Sequence, residues 1–162
     1  MTRCASTESE FWSDVFPRIA DRAAEKHPEL RADIARYSSE FRKFLQILKR
    51  ATEPVAMISP RIDHLWHEFI TCTAIYRDYC IRFAGRFLDH MPRTAWNPLP
   101  EQAIWNFFTA YEAEFGAVAA SWFDGVSEQD VLSLNRGEVP TALRWSGYVP
   151  LGMDTAWAQR EQ

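Results

Sequence analysis

Glycine is scarce in this chain, with 6 among 162 residues, and none of them forms a phosphate-cradling loop. Lysine and arginine build no run and the formal net charge is −4, so the basic face of a nucleic-acid binder is missing. No apolar stretch approaches the roughly 20 residues that cross a bilayer. The opening residues, MTRCASTESEFW, lack the apolar segment of a secretory signal. Neither nucleic acid nor membrane is therefore expected as a partner, and the chain leaves open whether a small molecule or a protein is one. The three cysteines, Cys4, Cys72 and Cys80, contain no C-x-x-C pair. On one helix, Cys72 and Cys80 would stand about 12 Å apart, beyond the roughly 7 Å Cα limit of a disulfide. Free thiols in odd number point to a reducing, cytoplasmic compartment. No segment of four or more residues alternates between apolar and polar with β-branched enrichment, and no repeat of 20–50 residues occurs.

Aromatic residues, in contrast, are abundant. They make up 14% of the chain, with 7 Trp and 11 Phe, in a composition 47% hydrophobic and 25% charged. A tryptophan-rich chain of this length suits one domain over residues 1–162 with a bulky core, frayed at 1–10 and at its last few residues. Apolar positions from Phe11 to Ala24 recur at helical spacing, with Pro17 suited to a first turn and His27-Pro28 to a stop. His27 is expected as a solvated helix-end residue. Leu30, Ile34, Tyr37, Phe41, Phe44, Leu45 and Leu48 mark a second helix over 28–50, with its charges, Glu40 and Lys43 among them, on a solvated face. Ser59-Pro60 opens a third helix that Gly85 closes. Ile104, Phe108, Tyr111 and Phe115 mark a fourth, and Ser127 to Asp130 resembles a capping box for a short one. From residue 138 onward proline and glycine break long elements, while Trp145, Tyr148 and Trp157 suggest that the tail packs on the body. The expected fold is all-α: a compact helical bundle with one long central helix, about 60–84, and an irregular C-terminal tail.

Residues 59–92 hold three of the four histidines and two of the three cysteines. Asp63 and His67 are four apart and share one face of the third helix, at the border of its apolar stripe. His64 falls on the far side, toward solvent. The order H-L-W-H-E matches neither H-E-x-x-H nor H-x-x-E-H. An i,i+4 ion pair is the commoner reading of Asp63–His67; a metal site or an acid–base pair is the sharper one. His90 could complete a set of two histidines and one carboxylate. A straight helix from His67 to Gly85 rises about 27 Å, and five extended residues return at most about 17 Å. The set is thus comfortable only if the helix bends near Thr71–Thr73. Cys80 lies in the apolar stripe, where an inert buried thiol is expected.

The string Asp63-x-x-Trp66-His67-x-Phe69-Ile70, followed by Thr73, Tyr76, Tyr79-Cys80, Gly85-x-Phe87 and His90-x-Pro92, resembles the signature of the glycine-rich-domain-containing-protein-like family. Tyr111-x-x-x-Phe115-Gly116 resembles a weaker block of its short bacterial members. The strong match covers about a fifth of the chain, residues 60–92. Members are mostly of unknown function, so the resemblance implies positions rather than a reaction: Asp63, Trp66, His67, Cys80, Gly85 and His90. It departs at Asp89, where short members often carry a histidine, and in the absence of a glycine-rich tail.

Two readings stay open. In one, a small metal-binding helical protein, a candidate non-haem metalloenzyme, holds divalent iron or zinc through Asp63, His67 and His90, and Trp66, Tyr76 or Tyr111 walls the cofactor pocket. His67 oriented by Asp63 as a metal-free acid–base pair is its weaker variant. In the other, a non-catalytic interaction domain uses Asp63, His67 and His90 as structural hydrogen-bonding groups.

Overall fold

The computed structural model describes residues 7–91, 99–144 and 146–150. Its first turn, α1 (Glu8–Glu10), starts from a capping box in which Thr7 and Glu10 bond each other's backbone amides. A π-type stretch, Phe11–Val15, leads into α2 (Phe16–Lys26), whose first turn carries Pro17. The expected fraying does not extend to residues 7–10: Lys49 and Tyr79 donate to the Glu8 carboxylate at 2.5 and 2.9 Å. Cys4 lies outside the described residues.

A 3-10 turn, Pro28–Asp33, feeds α3 (Ile34–Arg50). The expected stripe is buried from Leu30 to Leu48, with Ile34 half-buried. Its charges are not all solvated, however. Glu40 is buried and accepts from the Tyr111 hydroxyl at 2.6 Å, Trp122 Nε1 at 2.8 Å and Lys43 Nζ at 2.7 Å. That carboxylate joins α3 to α6 (Glu101–Phe115) and to the 3-10 turn Ala120–Phe123. Glu68 is likewise buried and pairs with Arg22 and Lys26 of α2. Helical periodicity assigns such positions by average polarity; a carboxylate with three donors can enter a core that a lone one cannot.

The expected long helix over 60–84 is interrupted. Ser59 caps α4 (Pro60–Thr71) by accepting the Ile62 amide at 3.3 Å. Cys72 then leaves helical geometry, with φ −79° and ψ 55°. The Thr71 hydroxyl donates back to the Glu68 carbonyl at 2.7 Å, and β-branched Thr71 and Thr73 flank the break. The chain restarts as α5 (Thr73–Tyr79) and widens into a π-type stretch, Cys80–Ala84. The break shifts the helical phase, so Tyr79 enters the core while Thr73 is exposed. Gly85 ends the segment at φ 70°, the left-handed geometry that glycine accepts without penalty.

Three two-residue strands, too short to show alternation in the sequence, tie the ends of this region together. They are β1 (Val55–Ala56), β2 (His90–Met91) and β3 (Gly147–Tyr148), antiparallel in the order β1-β3-β2. His90 faces Tyr148 and Met91 faces Gly147. A Cβ at Gly147 would lie 2.3 Å from the Val55 carbonyl oxygen, so only glycine fits the middle strand there. The tail does pack on the body at Tyr148, which is buried; Trp145 and Trp157 lie outside the described residues. Between β2 and β3 in the chain, α7 (Glu128–Asn135) starts from Ser127, which accepts the Asp130 amide at 3.1 Å. The fold is all-α apart from this small sheet, and no helix among the described residues is long and apolar enough to cross a membrane.

Glu40 supplies a test of the core. Burial by itself would raise its pKa, but the bonds from Lys43, Tyr111 and Trp122 outweigh that and hold the carboxyl below 4.5. A folded-state value below the unfolded one contributes stability above pH 4.5, and the contribution fades as pH falls through the folded value. Glu40→Gln is expected to cost about 2–3 kcal/mol at pH 7, because donors lose a charged acceptor. Urea unfolding should show the gap to the native chain narrowing toward pH 3.

Candidate metal centre

Asp63 and His67 lie one turn apart on α4, so their side chains leave the same face. The helix break at Cys72, the turn at Gly85 and the β2–β3 pairing return the chain until His90 stands beside both. The return segment is held by buried polar contacts. Trp66 Nε1 donates to the Tyr76 hydroxyl at 3.2 Å, and that hydroxyl donates to the Leu88 carbonyl, two residues before His90. Arg86 donates to the Leu48 carbonyl at 2.7 Å and to that of Ala51, at the end of α3. The Trp66 ring meets the His90 ring edge-on, with centroids 4.4 Å apart.

Three ligand-type atoms converge as a result. His90 Nε2 is 3.2 Å from Asp63 Oδ1, His67 Nε2 is 3.4 Å from Asp63 Oδ2, and the two Nε2 atoms are 3.1 Å apart. The group of Asp63, His67 and His90 is placed so that it could hold a metal ion. Ser146, immediately before β3, donates to Asp63 Oδ1 at 3.0 Å and lies 3.3 Å from His90 Nε2. Sequence reasoning missed this serine; a lone hydroxyl in a proline- and glycine-broken tail gives no periodic signal.

Protons cannot satisfy these three edges. Asp63 as a carboxylate only accepts, and each Nε2 carries at most one hydrogen. Hydrogen-bonding every edge would take three hydrogens between two nitrogens: one toward each carboxylate oxygen and one between the rings. A cation at the centre satisfies all three with lone pairs. Donors about 2.0–2.1 Å from a tetrahedral zinc stand about 3.3–3.4 Å apart, and donors at right angles around an octahedral ion about 3.0 Å. The observed edges of 3.1–3.4 Å fall between these.

Asp63, His67 and Ser146 line a cavity of about 440 Å³, together with aliphatic side chains such as Ile58, Val126 and Leu143. His67 keeps 47% of its side-chain surface open, whereas the His90 side chain is only 8% exposed. A larger cavity, about 620 Å³ between α3, β1 and α6, has no histidine or cysteine in its wall. Trp66, Tyr76 and Tyr111, expected to wall the pocket, do not line the histidine cavity. Trp66 and Tyr76 are buried behind His90 and position it, while the Tyr111 hydroxyl is committed to Glu40 and Lys43. Their aromatic bulk is used for core packing.

The other candidates separate cleanly. Cys80 is fully buried, and burial pushes its thiol up, away from reactivity. Asp89 stands outside the triad; burial raises its carboxyl, and its Oδ2 is buried without a hydrogen-bond partner. His64 does not face open solvent as expected. It stacks on His27 with ring centroids 3.6 Å apart, which also removes His27 from a purely solvated role. Burial, then the neighbouring His27, lowers His64 to about 4. His67 is lowered too, first by burial and further by His90 and His27, against the opposing pull of Asp63; its open surface lets water screen much of that shift.

These signs predict a histidine titration. Followed by NMR in metal-free protein, His67 should titrate below 6.5, and Asp63→Asn should move it lower still. A His67 value at or above 6.5, or an upward move in the variant, would contradict the electrostatic account of the site.

Comparison with known families overturns the resemblance drawn from residues 60–92. The family model that matches is UCP032817-like, over residues 10–112, and not that of the glycine-rich-domain-containing proteins. No curated protein and no solved structure matches the chain. The matched span contains Asp63, His67 and His90 but ends before Ser146 and the tail strand β3. It covers well over half of the chain, which therefore belongs to the UCP032817-like family.

Proposed function

We propose that this is a mononuclear metalloprotein of catalytic type, in which Asp63, His67 and His90 hold one divalent ion, iron or zinc. The observation that carries the reading is the triangle of edges between 3.1 and 3.4 Å that no set of protons satisfies. Closed structural zinc sites take four protein ligands, whereas three ligands beside a cavity leave positions for water or substrate. Two imidazoles with one carboxylate suit zinc as well as iron(II). Such an ion would polarise a bound oxygen or lower the pKa of a bound water. Asp63 supplies the anionic ligand, His90 the buried rigid one and His67 the ligand nearest solvent. Ser146, bonded to Asp63 Oδ1, orients the carboxylate and could hold a second polar group in the cavity.

A purely structural reading has one observation in its favour. Ser146, Asp63 and His90 join the tail, α4 and β2 through bonds of 3.0–3.3 Å, which pins the return segment with no ion at all. Removing metal separates the two. In protein purified without a histidine tag, elemental analysis should find close to one iron or zinc per chain, and chelation should lower Tm by several degrees. His90→Ala should abolish that metal and the response to chelator together. Absence of stoichiometric metal, with Tm unmoved by EDTA or added ions, would leave the structural reading.

A further inference from the structure

A second cluster of ligand-type atoms stands beside α4, built by residues that the first site does not use. His27 ends α2, Glu29 lies in the 3-10 turn that follows, and His64 projects from α4 between Asp63 and His67. The His27 and His64 rings are nearly parallel, 12° between planes with centroids 3.6 Å apart, so their in-plane lone pairs run side by side and one ring must tilt out of the stack for both to meet one ion. Glu29 Oε1 stands at that edge, 3.9 Å from His27 Nδ1 and 3.7 Å from His64 Nε2. All three donors lie within 4.8 Å of one another.

We infer that His27, Glu29 and His64 form a second divalent transition-metal site, weaker than the first and one helical turn along α4 from His67. Two imidazoles and a carboxylate are the donors that zinc, copper and nickel take up, and the set contains no thiolate. The distances predict the order of filling. Edges of 3.7 and 3.9 Å exceed the roughly 3.3–3.4 Å of a tetrahedral zinc. Coordination must therefore draw the carboxylate inward by a few tenths of an ångström and open the ring stack, whereas the Asp63 triangle is already at ligand spacing. Arg61 Nη1 also stands 3.2 Å from Glu29 Oε1, a positive charge that an arriving ion must share the carboxylate with. Both features weaken the second site relative to the first. His64 also lines the cavity that contains Asp63 and His67, so an ion held there would sit at the cavity's edge.

Zinc titration by calorimetry, on chelator-stripped and tag-free protein, tests the assignment. The native chain should bind a tight equivalent and a second one at least about tenfold weaker. His27→Ala and, independently, the milder Glu29→Gln should remove the weak equivalent and leave the tight one. His90→Ala should do the reverse. Should the Asp63 site fail while this one stands, one equivalent would remain in the native chain, lost in His27→Ala and retained in His90→Ala. A weak equivalent that survives both His27→Ala and Glu29→Gln would be scattered surface binding and would overturn the inference. Circular dichroism of each variant in EDTA separates loss of the site from loss of the fold.

Discussion

The interruption of one helix at Cys72 governs the rest of the region. Continued straight to Gly85, that helix would carry the chain about 27 Å from His67 before it could turn. Broken after Thr71, it returns soon enough for residues 90 and 91 to pair with β3 beneath α4. The cost of the break is offset locally. The Thr71 hydroxyl and the Cys72 amide share the Glu68 carbonyl, Cys72 also donates to the Phe69 carbonyl, and the Tyr76 amide donates to the Cys72 carbonyl as the next helix begins. Two histidines and an aspartate from opposite ends of a 28-residue span then meet at ligand spacing.

Around that junction the fold depends on buried and half-buried carboxylates. Glu8 joins the N-terminal turn to α3 and α5, Glu40 joins α3 to α6, and Glu68 joins α4 to α2. Each is surrounded by donors from other elements, the condition under which a charge can be buried without a large net penalty. They constrain how the helices sit more sharply than apolar contact alone, which tolerates sliding. Asp63 differs from all three. Among the described residues its partners are two imidazoles and the Ser146 hydroxyl, in place of a lysine or arginine.

How far the sequence reveals this depends on the range of each interaction. Helix starts at Ser59-Pro60 and Glu101, the stop at Gly85 and the Asp63–His67 pair all follow from local spacing and stereochemistry. Helix arithmetic even makes a bend near Thr71–Thr73 the condition for His90 to join comfortably, because rise per residue is fixed. Ser146, the Glu40 network and the His27–His64 stack are a different matter. Each joins residues far apart in sequence, and no periodicity encodes the partner. The strands are invisible for another reason: two residues cannot alternate. The family resemblance misled because it rested on a handful of motif residues over 60–92, whereas the match over residues 10–112 runs from the N-terminal helices into α6.

The central claim is that Asp63, His67 and His90 share one ion. X-ray absorption at the metal edge of purified protein tests it most directly. The account predicts a first shell of nitrogen and oxygen near about 2.0–2.2 Å, with outer-shell scattering from two imidazoles that falls to one in His90→Ala. A first shell of water oxygens alone, or one containing sulfur near about 2.3 Å, would contradict it.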